Sequence, residues 1–157
     1  MLHRVIFGLL IIAWSVANPW CAVPAHAALG GDQDSIRADA NALGGSLNNI
    51  QRPNYSDYRI TSEGAGSVSE FIDAAGTVFA VAWSGPAPPQ LERLLGAYYP
   101  DYLHAWSTLP RPGLRRSVRV TGSKVVVEIG GHLRAYAGFA YLPASMPPGV
   151  AATDLMR

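Results

Sequence analysis

The segment Thr77-Val78-Phe79-Ala80-Val81-Ala82-Trp83 sets the strongest limit on how this chain can fold. Read as a strand, it places Phe79, Val81 and Trp83 on one face and Val78, Ala80 and Ala82 on the other. A strand apolar on both faces needs cover on both sides, so it belongs in the interior of a sheet. Its upstream neighbours fit that place. Tyr58-Arg59-Ile60-Thr61-Ser62 alternates as a half-buried strand does, Gly64-Ala65-Gly66 supplies a turn, and residues 68–73 form a second strand. Ala74-Ala75-Gly76 then turns into the central segment, which completes an antiparallel meander.

Around this meander the pattern changes period. Ser84-Gly85-Pro86-Ala87-Pro88-Pro89 stops the strand, and residues 90–99 carry Leu91, Leu94, Leu95 and Tyr98 at helical spacing. Pro100 is expected to break that helix, with Asp101 capping a second short turn that bears Leu103 and Trp106. A proline-rich basic loop over 109–116 leads to short strands at 118–120 and 124–129. Gly130-Gly131 reads as a turn into 133–142, where Leu133, Ala135, Ala137, Phe139 and Tyr141 share a face. Upstream, residues 32–45 read as a helix started by Asp32 or Asp34 and ended by Gly44-Gly45, and 48–56 as a polar linker. The order predicts a single α+β domain with a mainly antiparallel sheet, an N-terminal meander plus a C-terminal hairpin, packed by one or two short helices. The short helix and linker occupy 28–57, the core domain 58–143, and a loosely held tail 144–157.

The first 27 residues have a different character. Met1-Leu2-His3-Arg4 is a charged start, residues 5–16 are almost wholly apolar, and Ala25-His26-Ala27 precedes Ala28. This is the pattern of a cleavable secretory signal. The apolar run holds about a dozen residues against the ~20 of a membrane span, which disfavours a retained anchor, and nothing after Ala28 approaches that length. Cleavage removes Cys21, the only cysteine. The mature chain then has no disulfide, thiol nucleophile or thiolate metal site, and relies on its own core. It also loses Arg4, which leaves eleven basic and eleven acidic side chains. That balance offers no electrostatic footprint for nucleic acid. The charges are unevenly spread, with Arg111, Arg115, Arg116, Arg119 and Lys124 clustered late in the chain. They either neutralise the acidic first half or present a cationic face to an anionic lipid or acidic glycan.

Catalytic chemistry has little to stand on. His104 and His132 are the histidines left after cleavage. Asp101 lies one helical turn before His104, where its carboxylate could orient the imidazole as a general base of a small hydrolase or lyase. Without that bond His104 is a histidine at the rim of an aromatic cluster. His132 falls in an apparent turn. No serine stands in a nucleophile elbow, and Gly64-Ala65-Gly66 is followed by a strand rather than the helix of a dinucleotide loop. No spacing supports a metal site, and no cofactor is implied. Glu70 and Asp73 fall on opposite strand faces and make a poor carboxylate pair.

Aromatic residues crowd the sheet–helix junction: Trp83, Tyr98, Tyr99, Tyr102 and Trp106. Core packing accounts for Trp83 and Tyr98, whereas Tyr99, Tyr102 and Trp106 are candidates for a groove that takes a sugar or a peptide. Arg115, Arg116 and Arg119 join them if the partner is anionic. Several segments together resemble a family of small exported bacterial proteins catalogued as a domain of unknown function. They are Ala28-Leu29-Gly30-Gly31, Val78-Phe79-Ala80-Val81-Ala82-Trp83-Ser84-Gly85-Pro86, Leu94-Leu95-Gly96 with an aromatic pair, and Leu133-Arg134-Ala135-Tyr136 with Gly138. The resemblance implies an envelope location in a Gram-negative cell and supplies no activity or catalytic residue. The expectation is an exported, periplasmic or extracellular, non-catalytic module. It would bind an envelope protein, a glycan or an anionic lipid, or serve as a structural accessory docked through a sheet edge near 118–120.

Overall fold

The computed structural model describes residues 29–110 and 117–156. Arg115 and Arg116 lie outside them. Seven antiparallel strands form one sheet in the order β1-β2-β3-β4-β7-β6-β5. They are β1 Ser46–Gln51, β2 Ser56–Ser62, β3 Gly66–Ile72, β4 Val78–Gly85, β5 Ser117–Thr121, β6 Val126–His132 and β7 Ala135–Tyr141. The chain is an α+β fold, and β4 lies at its centre, paired with β3 on one side and β7 on the other. Its two apolar faces each meet a core.

The larger core lies under the helices. It joins Ile60, Val81, Trp83, Val127 and Ala140 of the sheet to Ile36 of α1 (Gln33–Ala42) and Leu95 of α2 (Leu91–Leu95). Tyr102 and Ala105 of α3 (Tyr99–Thr108) complete it. The opposite face has a smaller core of Phe71, Phe79, Ala80, Val126, Phe139 and Tyr141. The division along β4 departs from simple alternation. The register slips between Phe71 and Ile72, so that Phe71 faces Ala80 while Ile72 faces Val78. This bulge puts Phe79 and Ala80 together in the smaller core and returns Val81 and Trp83 to the helix side.

Asp32 caps α1 as expected. Its carboxylate accepts from the Ser35 amide at 2.9 Å, and Ser35 Oγ accepts from the Asp32 amide at 3.1 Å. Four expectations are corrected. The first four residues of the polar linker expected over 48–56 belong to an edge strand: β1 pairs with β2 from Ser46↔Thr61 to Gln51↔Ser56, and only 52–55 make the turn between them. Backbone bonds hold it while all its side chains except the half-buried Ile50 stay exposed, so it carries no apolar alternation. Pro100 does not end a helix but sits in the first turn of α3, where its missing N–H has no intrahelical role. The break comes earlier, where Gly96 adopts φ +49°. Gly130-Gly131 continues β6 rather than turning; the turn falls at Leu133-Arg134, with Leu133 80% exposed.

At the end of the chain, residues 144–156, which read as a loose tail, place Leu155 of a one-turn helix α4 (Ala152–Leu155) in the smaller core. Met146, Val150 and Ala152 pack beside it. At the start, Gly30 donates to the Val78 carbonyl at 2.8 Å and Val78 to that of Gly31 at 2.9 Å, which ties the N-terminal segment to β4.

Candidate functional site

Ile60, Val68 and Trp83 stand directly opposite one another on β2, β3 and β4 and form one apolar row beneath the helices. The next strand offers Gly138 opposite Trp83. A Cβ at 138 would collide with the Trp83 ring and with the Glu128 carbonyl, so only glycine lets the indole lie flat over β7. Past Gly85 the prolines at 86, 88 and 89 cannot continue a ladder, and the chain leaves the sheet to reach α2. The result is a cleft of about 260 Å³ floored by the row and walled by Leu43, Pro88, Pro89 and Leu94.

Two charges face this cleft. Asp39 on α1 is buried, its side chain 8% exposed, and its Oδ1 lies 3.7 Å from Arg93 Nη2 on α2. The Arg93 side chain is 36% exposed, and its Nη1 donates to Gln90 Oε1 at 3.5 Å. Glu70 also belongs to the helix-side face, two residues along β3 from Val68 and opposite Val81. It is 0% exposed, and neither carboxyl oxygen has a hydrogen-bond partner among the described residues. Burial pushes its carboxyl up to about 8, with the negative charge of Asp39 adding to the rise. Glu70 is therefore protonated at pH 7. The Trp83 indole nitrogen is likewise buried and without a partner among the described residues.

The expected site residues fall in separate places. Tyr99, Tyr102 and Trp106 do come together as a ladder along α3. Tyr99 stacks on Tyr102 with ring centroids 6.0 Å apart, and Tyr102 meets Trp106 at 6.0 Å. Tyr102 is buried, while Trp106 is 41% exposed. Arg119 is on the other side of the sheet. It alternates with the inward-facing Val118 and Val120, and it bonds Glu128 Oε1 at 2.6 Å and the Tyr141 hydroxyl at 2.9 Å.

Asp101 neither caps its own helix nor orients His104. Its Oδ1 accepts from the Ser123 amide and hydroxyl at 3.1 and 2.6 Å, and its Oδ2 from the amides of Lys124 and Val125 at 2.8 and 3.2 Å. These bonds, led by that of the Ser123 hydroxyl, hold its carboxyl down at about 2. The acid fastens the β5–β6 turn to α3. His104 is exposed, and its carbonyl accepts from the Ser107 hydroxyl at 2.7 Å. His132 closes β6 at the surface, with Nδ1 3.2 Å from the Leu133 carbonyl.

Residues 25–155 match the family model described as "Protein of unknown function (DUF2844)". The chain belongs to the DUF2844 family. No curated protein and no solved structure matches it. In this DUF2844 chain the charged members of the cleft escape a motif search, because Asp39 and Arg93 come from helices far apart in sequence. Glu70 was the more legible. Val68, Glu70 and Ile72 alternate along β3, so the period alone sets this acid on an apolar face.

Proposed function

We propose that this protein is an exported, non-catalytic binding module of the bacterial cell envelope, with its ligand seat in the cleft above Ile60, Val68 and Trp83. The observation that carries this reading is a concave, apolar space with an oppositely charged pair on its wall, the usual make-up of a small-molecule site. Export is supported by the leader pattern of residues 1–27. The non-catalytic reading is supported by Asp101, whose oxygens are occupied by the β5–β6 turn.

Ligand-observed NMR with a library of small amphipathic compounds tests the seat. Binders are expected for the wild type and are expected to be lost in Val68→Phe, which fills the cleft. A wild type without binders, or a folded Val68→Phe that keeps them, refutes the seat. Export is read separately by mass spectrometry of protein recovered from the cell envelope, which is expected to begin at Ala28. A chain recovered from the cytoplasm alone, with its leader intact, refutes it.

The aromatic ladder favours a second reading, in which Trp106 stacks on a sugar ring of an envelope glycan. Trp106→Ala would then weaken glycan binding while leaving occupancy of the cleft unchanged.

A further inference from the structure

β1 has a neighbour on one side only. It ends the sheet beside β2, and among the described residues no strand pairs with its outer edge. The turn after it fixes which main-chain groups that leaves open. The Arg52 amide donates to the Tyr55 carbonyl at 2.8 Å. Counting back from this bond, the alternation of an antiparallel ladder points the N–H and C=O of Ile50, Asn48 and Ser46 at β2. Those of Gln51, Asn49 and Leu47 point away from the sheet.

Sheet edges are commonly guarded by a charge, a proline or a bulge. Ser46-Leu47-Asn48-Asn49-Ile50-Gln51 has no charge and no proline, and its register against β2 runs without a slip. The opposite edge differs, since β5 carries Arg119 at its middle. Apolar surface also gathers at the β1 edge. Leu47 is 38% exposed, and so nearly is Leu43 at 37%, whose carbonyl accepts from Ser62 Oγ at the end of β2.

The outward row is complementary to itself. A two-fold axis through the sheet at Asn49 sets a second β1 antiparallel to the first, with Asn49 facing its own copy and Leu47 facing Gln51 on either side. Each facing pair then exchanges both of its main-chain hydrogen bonds. Neighbouring centres do worse. An axis at Asn48 sets Gln51 against Gly45, whose amide already bonds the Ala40 carbonyl. An axis at Ile50 sets Leu47 against Pro53, which has no N–H. The residue on the axis must also meet itself, and the exposed Asn49 suits that place because a carboxamide both donates and accepts. A strand of another protein could use the same edge, but the match of every outward group under one two-fold favours a second copy.

We propose that two copies of this chain associate edge to edge through β1, about a two-fold axis at Asn49, so that one antiparallel sheet runs through both. This does not depend on the cleft being a ligand seat.

Sedimentation velocity at rising concentration, into the sub-millimolar range, is expected to show a reversible monomer–dimer equilibrium. Asn49→Lys sets like charges face to face at the axis and is expected to weaken the dimer at least about tenfold. Disulfide trapping reads the register, with Cys21→Ser in every variant so that only the introduced thiol can pair. Position 49 and its copy lie about 5.5 Å apart between Cα atoms, within the ~4.4–6.8 Å that a disulfide spans. Position 48 faces 50 and is thus two residues, about 7 Å, out of line with its own copy. Mild oxidation is expected to give a covalent dimer of Asn49→Cys and none of Asn48→Cys. A protein that stays monomeric, or one that grows beyond the dimer, overturns the proposal. So does a dimer that Asn49→Lys leaves as strong, or one that Asn49→Cys traps no better than Asn48→Cys, because another surface or register then joins the copies. Should Asn49→Lys fail to fold, the two cysteine variants decide.

Discussion

Glu70→Gln is expected to make the protein more stable at neutral and alkaline pH. In the folded chain Glu70 is wholly buried, its oxygens have no hydrogen-bond partner among the described residues, and its carboxyl titrates at about 8 against an ordinary value of 4.5. The sign follows from proton counting. Above pH 4.5 the unfolded chain releases this proton, while the folded chain keeps it until about pH 8. The unfolded state then binds fewer protons, so stability falls as pH rises through that window. At about 1.4 kcal/mol per pH unit, the loss reaches about 3 kcal/mol by pH 7 and levels off near 5 kcal/mol above pH 8. That is a large part of the ~5–15 kcal/mol that holds a typical domain together. Glutamine has nearly the same shape and cannot ionise. Urea unfolding of both proteins at pH 4.5, 6, 7 and 8.5 isolates the effect, because the titrations of other groups largely cancel in the difference. The two proteins should be close at pH 4.5 and diverge steadily in favour of Glu70→Gln. Curves that stay parallel across the range, or a variant whose deficit grows with pH, would refute the assignment of Glu70 as a buried neutral acid. Asp39→Asn should reduce the pH dependence of the parent, since the Asp39 charge is the second cause of the raised pKa.

Gly138→Ala should cost about 1–3 kcal/mol, the range for overpacking a tight site, because the new methyl displaces the Trp83 ring. It should also change the near-ultraviolet circular dichroism, and an unchanged spectrum would refute the close approach. Asp101→Asn replaces with a donor one of the two oxygens that together accept four hydrogen bonds and tie the β5–β6 turn to α3, and a loss of about 1 kcal/mol is expected by analogy with a lost cap. The Asp101 carboxyl is depressed to about 2, so its contribution is present above pH 3.8 and disappears as pH falls through 2. Acid unfolding of the variant should therefore converge with that of the parent below pH 2, and a constant offset down to that pH would refute the role.

The elements legible in the sequence are those whose side chains report their burial. The cap at Asp32 and the apolar spacing of Ile36 and Ala40 mark α1, and two-sided apolarity marks β4 as central. β1 is invisible by the same logic. It is held at the sheet's edge by main-chain bonds, and Asn48 and Asn49 reveal nothing of them. Pro100 misleads because a proline that ends a helix and one that begins it are the same residue, and only the conformation of Gly96 tells them apart. The candidate site depends on register, which periodicity does not supply. Alternation places Ile60, Val68 and Trp83 each on a buried face, but their alignment into one row follows from the pairings of β2, β3 and β4. The bulge beside Phe71 shows how sensitive that alignment is. Without it, the Phe79 side chain would share the Trp83 face instead of filling the smaller core. The same bulge lets one strand serve two cores and still present its tryptophan to the cleft. Deletion of one residue at 79–80 would therefore restore plain alternation with Trp83 still opposite Val68, and would take one side chain out of the smaller core.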